Sequence, residues 1–245
     1  DHFLHLRCET PAENMLGLAE PVIPHPLTRM ISFMDHTPGV GQYADLNRFR
    51  LRKGVDGLPR AEIDAQIAEL QARRLELRTP QRRLLLEMVR GRAIVLASHD
   101  DETLEEVAEN HGDGITISEF PVRLAAARAA KALGMAVIAG APNIVRGGSH
   151  SGNVSAADLL AAGAVDALAS DYVPPAMLEA AFAAADAGLP VPRAVALVTS
   201  GPARLAGLAD RGRLAVGLRA DLLRARRHEG LTAPLAVWRQ GRRVA

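Results

Sequence analysis

Four carboxylates and imidazoles stand where hydrophobic runs of this chain stop: Glu9 after FLHLRC, His36 after RMISFMD, His99 after AIVLAS and Asp171 after ALAS. Runs of four to eight apolar residues read as buried strands. Titratable side chains at the C-terminal tips of several parallel strands make the mouth of a (β/α) barrel, and Glu, His and Asp are the ligand types of zinc and related divalent ions. Each tip also has a plainer account. Asp100 or Asp101 can orient a metal-bound His99; alternatively Asp101 or Thr103 simply caps the helix that follows and His99 is a bystander. His36 is a ligand or a substrate contact, with Asp35 beside it as a competitor and a Thr-Pro-Gly turn to explain the polarity. Glu9 can bridge two cations or pair with Arg7. Asp171 can bind metal and take the proton from an attacking water, or cap the helix beyond Pro174 and Pro175.

A second cluster of polar chemistry lies in residues 139–153, AGAPNIVRGGSHSGN. Gly147, Gly148 and Gly152 let backbone N–H groups close on an anion. Ser149, His150, Ser151 and Asn153 offer hydrogen-bonding side chains, and Arg146 adds a fixed planar cation suited to phosphate oxygens. The helix expected from about Ser155 presents its positive end. The segment fits neither GxGxxG nor GxxxxGK[ST], so the nucleotide-binding motifs fail on pattern. Metal ligands and an anion loop together point to metal-assisted hydrolysis of a phosphate ester or anhydride, with a phosphorylated small molecule as substrate.

The composition restricts the alternatives. The chain has 245 residues, 48% of them hydrophobic and only 3% aromatic, with a net charge of +1. No global field draws it to nucleic acid, and no apolar run approaches the ~20 residues of a membrane span. The single cysteine, Cys8, has no partner for an internal disulfide, which favours a reducing, cytoplasmic setting. Its alternation with Leu4 and Leu6 makes it a packing residue rather than a nucleophile.

These residues have to be held by alternating strands and helices, which argues a parallel α/β sheet. Strands are expected at residues 3–9, 29–35, 93–98, 114–120, 136–141 and 166–170. Helices are expected at 60–77, at 81–89 beyond a break at Pro80, and at 104–110, 123–133, 156–162, 177–187, 192–197 and 202–208. Counting back in twos from the tips, Ser32 and Met34 share a face with His36, Val95 and Ala97 with His99, and Ala167 and Ala169 with Asp171. These are mostly small residues, as a crowded barrel interior requires. The first strand would instead turn His5 and Arg7 to the Glu9 side. An open doubly wound sheet would also place polar tips along one edge. From about Gly212 the pattern changes to short strands (RLAVG, ADLL, AVWRQGRRV). The domain reading is therefore 1–211 for a barrel-type catalytic domain and 212–245 for strands of a small β-sandwich.

The runs HLRCE, SFMDHTPG, ASHDDET, ISEFP, GAPNIVRGGSHSGN and SDYVP, with the tail VTSGPARLAGLADRGRLAVGLRADL, resemble the amidohydrolase-superfamily diphosphatases of alkylphosphonate degradation. The resemblance implies a metal-dependent (β/α)8 TIM-type barrel with a small β-sandwich. It implies water attack on the α-phosphorus of α-D-ribose 1-methylphosphonate 5-triphosphate, giving the 5-phosphate and pyrophosphate. It also implies one or two divalent ions, zinc or another transition metal, at Glu9, His36, His99 and Asp171. His99 and Asp171 would be catalytic, and Glu119, at a neighbouring tip, would contact substrate with Asn143, Arg146, Ser149, His150 and Asn153. Two departures stand out. The His-x-His or His-x-Asp pair of a first amidohydrolase strand is not in these residues, so FLHLRCE reads as a third strand of a barrel of about six βα units with an N-terminal part lacking. Its open edges would favour a homo-oligomer. In RADLLRARRHEG arginines replace the usual apolar strand, which is expected to fray. A non-catalytic fragment and an amidohydrolase acting on a C–N bond remain as alternatives.

Overall fold

The computed structural model describes residues 2–148 and 153–245. Ser149, His150 and Ser151 of the anion loop lie outside them. Six strands, β1 (Leu4–Glu9), β2 (Thr28–Met34), β3 (Val95–His99), β4 (Ile117–Glu119), β5 (Ala136–Gly140) and β6 (Ala167–Ala169), form one sheet in chain order. The registered pairs β1–β2, β2–β3, β3–β4 and β5–β6 are parallel. Sequential order is what successive right-handed βα units produce in a TIM-type barrel. A doubly wound sheet would reverse direction at a switch point, so that alternative falls. The described residues divide into two compact units within β5: the first takes the chain up to Val137 with Asn153 and Val154, the second takes Ile138 onward.

In the first unit the outer faces of the strands bury Cys8, Ile31, Phe33 and Val137 against Leu85 and Val89 of a long helix and against Val107, Ala126 and Ala130. Cys8 is 4% exposed and packs as the alternation requires. Burial pushes its thiol up to about 11, far from nucleophilic at neutral pH. The helices of this unit are α1 (Met15–Ala19), α2 (Leu46–Val55), α3 (Arg60–Val89), α4 (Leu104–Gly112) and α5 (Leu124–Ala132). The break expected at Pro80 does not occur: α3 runs unbroken for 30 residues with Pro80 inside it. Pro80 lies on the exposed face, where water can satisfy the carbonyl that loses its partner. Both sides of the proline are pinned as well. Arg74 and Arg78 reach Asp35 at 2.6 and 3.6 Å, and Arg82 reaches Asp113 at 2.7 Å. Upstream, Ile63 and Ile67 of α3 pack on Phe49 of α2.

The second unit holds α6 (Ala141–Arg146), α7 (Ala156–Ala161), α8 (Ala176–Asp186), α9 (Val191–Ala196) and α10 (Ser200–Leu205), followed by a separate antiparallel sheet of β7 (Leu222–His228), β8 (Leu231–Arg239) and β9 (Arg242–Arg243). The arginines of RADLLRARRH do not fray the strand. Residues from Leu222 to His228 pair with β8 with one bulge, because an antiparallel ribbon tolerates a solvated face and Arg224 and Arg226 lie on it. The segment RLAVG forms no strand, and its last two residues, Val216 and Gly217, lie in a turn. Among the described residues no helix is long and apolar enough to cross a membrane.

Candidate metal centre

The site in the first unit grows from the tips of β1 to β4. Strand alternation sends His99, the last residue of β3, to the same face as Ala97, directly beside its register partner Glu119 on β4. The next residue, Asp100, has φ 57°. A left-handed step by a non-glycine residue costs energy and collects at functional sites, and here it keeps Asp100 beside His99 instead of on the opposite face. The loop after His36 passes so close that a Cβ on Gly41 would stand 3.1 Å from the Asp100 Cβ, and Gly41 itself has φ 52°.

Two carboxylate–imidazole pairs result. The Nδ1 of His36 lies 2.6 Å from Glu9 Oε2, while the His36 backbone N–H donates to Glu9 Oε1 at 2.7 Å. The Nδ1 of His99 lies 2.8 Å from Glu119 Oε2. With both Nδ1 atoms occupied, both Nε2 atoms face Asp100, His36 at 3.8 Å from Oδ2 and His99 at 3.6 Å from Oδ1. The two rings stand edge to face, 5.3 Å apart. Ligand atoms of His36, His99 and Asp100 lie within 4.8 Å of one another. A tetrahedral ion with bonds of about 2.1 Å has ligand–ligand edges of about 3.4 Å, so the group is nearly set to receive one.

Two further observations fit a cation. Asp100 is 8% exposed, and its Oδ2 is buried with no hydrogen-bond partner, which a buried carboxylate does not sustain cheaply. The Arg7 guanidinium stands 3.5 Å from His99 Nε2, a positive group at the lone pair a metal would use. Burial raises the Asp100 carboxyl, with His99 and His36 opposing. For His36 burial acts downward, but the Glu9 hydrogen bond and charge, with Asp100, outweigh it and leave the imidazole raised. For Glu119 burial acts upward, yet the His99 hydrogen bond and charge, with His5 and Ser32, hold it below its usual range.

Behind the tips Asp101, 3% exposed, accepts from Ser98 at 2.6 Å, from Ser118, and from Asn110 at 2.7 Å. It ties the outer faces of β3 and β4 together. Thr103 caps α4 in a full capping box with Glu106, so the capping account of SHDDET and the placement of His99 hold together. Asp35, the competitor of His36, is taken by Arg74. Sequence reasoning missed Tyr43, whose ring lies 6.3 Å from that of His36 and whose hydroxyl accepts from Arg52 at 2.6 Å; nothing in its spacing marks it.

The remaining candidates belong to other parts of the chain. Asp171 follows β6 in the second unit, is exposed and has φ 48°, the left-handed step seen at Asp100. Asn143 and Arg146 sit on α6 rather than in a loop, because Pro142 enters the first turn and Gly147, at φ 79°, closes the helix. Arg146 is exposed and reaches Tyr172 at 3.5 Å. Asn153 is half-buried.

The chain is 44% identical, over its whole length, to alpha-D-ribose 1-methylphosphonate 5-triphosphate diphosphatase of Escherichia coli K12, and spans 66% of that protein's length. An amidohydrolase of Thermotoga maritima superposes with TM-score 0.53 at 18% identity over 99% of this chain and 62% of its own. The chain is thus similar along its whole length to that diphosphatase and shares the fold of that amidohydrolase. A protein described only as uncharacterized superposes with TM-score 0.50 at 17% identity, over 67% of this chain and 48% of its own. No protein-family model matches. The six strands in sequential order match the fold of that amidohydrolase, and His36, His99 and Asp100 form a group that could hold a metal ion.

Proposed function

We propose that this chain carries the metal-binding part of a diphosphatase that hydrolyses α-D-ribose 1-methylphosphonate 5-triphosphate to the 5-phosphate and pyrophosphate. The observation that carries the reading is the 44% identity along the full chain to the E. coli enzyme of that name. His36, His99 and Asp100 would hold a divalent ion; when bound, such an ion supplies a Lewis acid and lowers the pKa of water. Glu9 and Glu119 keep the two imidazoles in the tautomer that turns Nε2 inward. Asp171, on the strength of its strand-tip position and the family resemblance, takes a proton from the attacking water. Water attacks the α-phosphorus, its bond to the bridging oxygen breaks, and pyrophosphate leaves. Arg146, Asn143 and Asn153 hold phosphate oxygens, and Glu119 acts on substrate only through His99.

The test is phosphorus-detected product analysis with the ribose triphosphate and added Zn2+ or Mn2+. Pyrophosphate as the first product, lost in Asp171→Ala and His99→Ala, is expected. Release of orthophosphate alone, or C–N bond hydrolysis without any phosphorus product, would overturn the assignment.

A further inference from the structure

Ser32 lies in the middle of β2 with no exposure at all, on the inward face it shares with His36. Its Oγ donates to Glu119 Oε2 at 2.9 Å and lies 2.6 Å from Nε2 of His5 on β1. The same Oε2 is 2.8 Å from Nδ1 of His99. A carboxylate has acceptors only, and a serine has one hydrogen to give. Ser32 spends it on Glu119, so its contact with His5 is one in which His5 Nε2–H donates. His99 must likewise carry its hydrogen on Nδ1. Every donor in the chain of four groups points toward Glu119, and one oxygen is pinned between β2 and β3.

The pinning settles a competition. His99 has a second carboxylate in reach, since its Nε2 is 3.6 Å from Asp100 Oδ1. A neutral imidazole with its hydrogen on Nε2 would bond Asp100 and lose the lone pair that faces the site. The Arg7 guanidinium, which can only donate, also favours a lone pair on Nε2 from 3.5 Å; beyond that, the balance depends on how firmly Glu119 is held against Nδ1. We propose that Ser32 and His5 are positioning residues for His99, acting through Glu119 to fix its hydrogen on Nδ1 and leave Nε2 as a ligand. The metal part of this inference rests on the reading of His36, His99 and Asp100 as ligands; the tautomer part stands without it.

The experiment takes the full chain in metal-free form at pH 8 and reads the His99 ring nitrogens by 15N NMR, then titrates the same samples with Zn2+ alone. The wild type is expected to show the Nδ1–H form. Ser32→Ala should raise the Nε2–H population and weaken Zn2+ binding about tenfold, the lower end for groups that orient ligands. His5→Leu should act in the same direction, and His5→Gln, whose amide can still donate to Ser32, should restore both. His5 is solvent-accessible, so the Leu and Gln pair decides the matter if Ser32→Ala does not fold. An unchanged tautomer population in Ser32→Ala, or in His5→Leu, overturns the inference. A shifted tautomer with unchanged Zn2+ affinity supports the positioning role and removes His99 from the metal ligands.

Discussion

Replacing Asp101 by Ala should loosen the strand tips that carry the site. Three donors converge on this buried carboxylate: the hydroxyls of Ser98 and Ser118 and the amide of Asn110. Ser98 has a second acceptor in the Ile117 carbonyl at 3.2 Å, so its loss is cheap. Ser118 and Asn110 are both buried and would be left with unpaired donors at about 1–3 kcal/mol each. Against this, the native chain bears the cost of burying Asp101, whose carboxyl burial raises even though the Ser118 and Ser98 hydrogen bonds oppose it. The net expectation is a loss of about 3 kcal/mol. Asp101→Asn keeps an acceptor oxygen, and the serine hydroxyls can turn to meet its amide, so it should cost about 1 kcal/mol. The assay is amide hydrogen exchange of the β3 and β4 residues under native conditions, which reads the opening free energy of these strands directly. A loss below 1 kcal/mol in Asp101→Ala would show that the serine and asparagine groups find other partners, and would refute the idea that Asp101 braces the site.

Three further outcomes follow from single residues. The Cys8 thiol, raised from 9.0 to about 11, should have its thiolate fraction cut about 100-fold at pH 8; iodoacetamide should spare it in the folded chain and label it in urea, and equal labelling rates would be contradictory. Glu109 is acidified because the Arg78 hydrogen bond and charge, with Arg82 and Arg74, outweigh its burial. A carboxyl lowered in the folded state stabilises above its unfolded value and loses that contribution as pH falls through the folded one, so the melting-temperature gap between wild type and Glu109→Gln should be present at pH 6 and close below about pH 4.5; a gap independent of pH would remove the role. Arg146→Ala should weaken pyrophosphate binding by about 1.5–3 kcal/mol, the range of a charge-assisted hydrogen bond, and unchanged affinity by calorimetry would take Arg146 out of the anion site.

The strand tips were legible because alternation is a strict two-residue period: Ser32, His5 and His99 share the inner face as counted, and their hydrogen bonds to one another and to Glu119 follow. Glu9 and His36 were legible as neighbours in chemistry, though not as a pair in which the carboxylate holds Nδ1. Asp100 was the hard case. Alternation sends it outward with Asp101's strand partners, and only the φ of 57° brings it to the imidazoles; no sequence signal marks a left-handed aspartate. The continuous α3 was hidden for a similar reason, since Pro80 is a valid helix breaker unless its exposed side and the flanking Arg74, Arg78 and Arg82 anchors are known. For α6, Pro142 is compatible with a helix start, but the surrounding glycines and polar residues favour a loop on sequence alone.

In the proposed function His36, His99 and Asp100 hold a divalent ion between two carboxylate-oriented imidazoles. The most direct measurement is an anomalous difference map from crystals of this chain soaked in Zn2+, with data on both sides of the zinc edge. A peak is expected about 2.0–2.2 Å from both Nε2 atoms and an Asp100 oxygen, with the Glu9 and Glu119 contacts to Nδ1 retained. A peak bound through Nδ1 of either histidine, or no peak at this group with zinc bound elsewhere, would contradict this assignment.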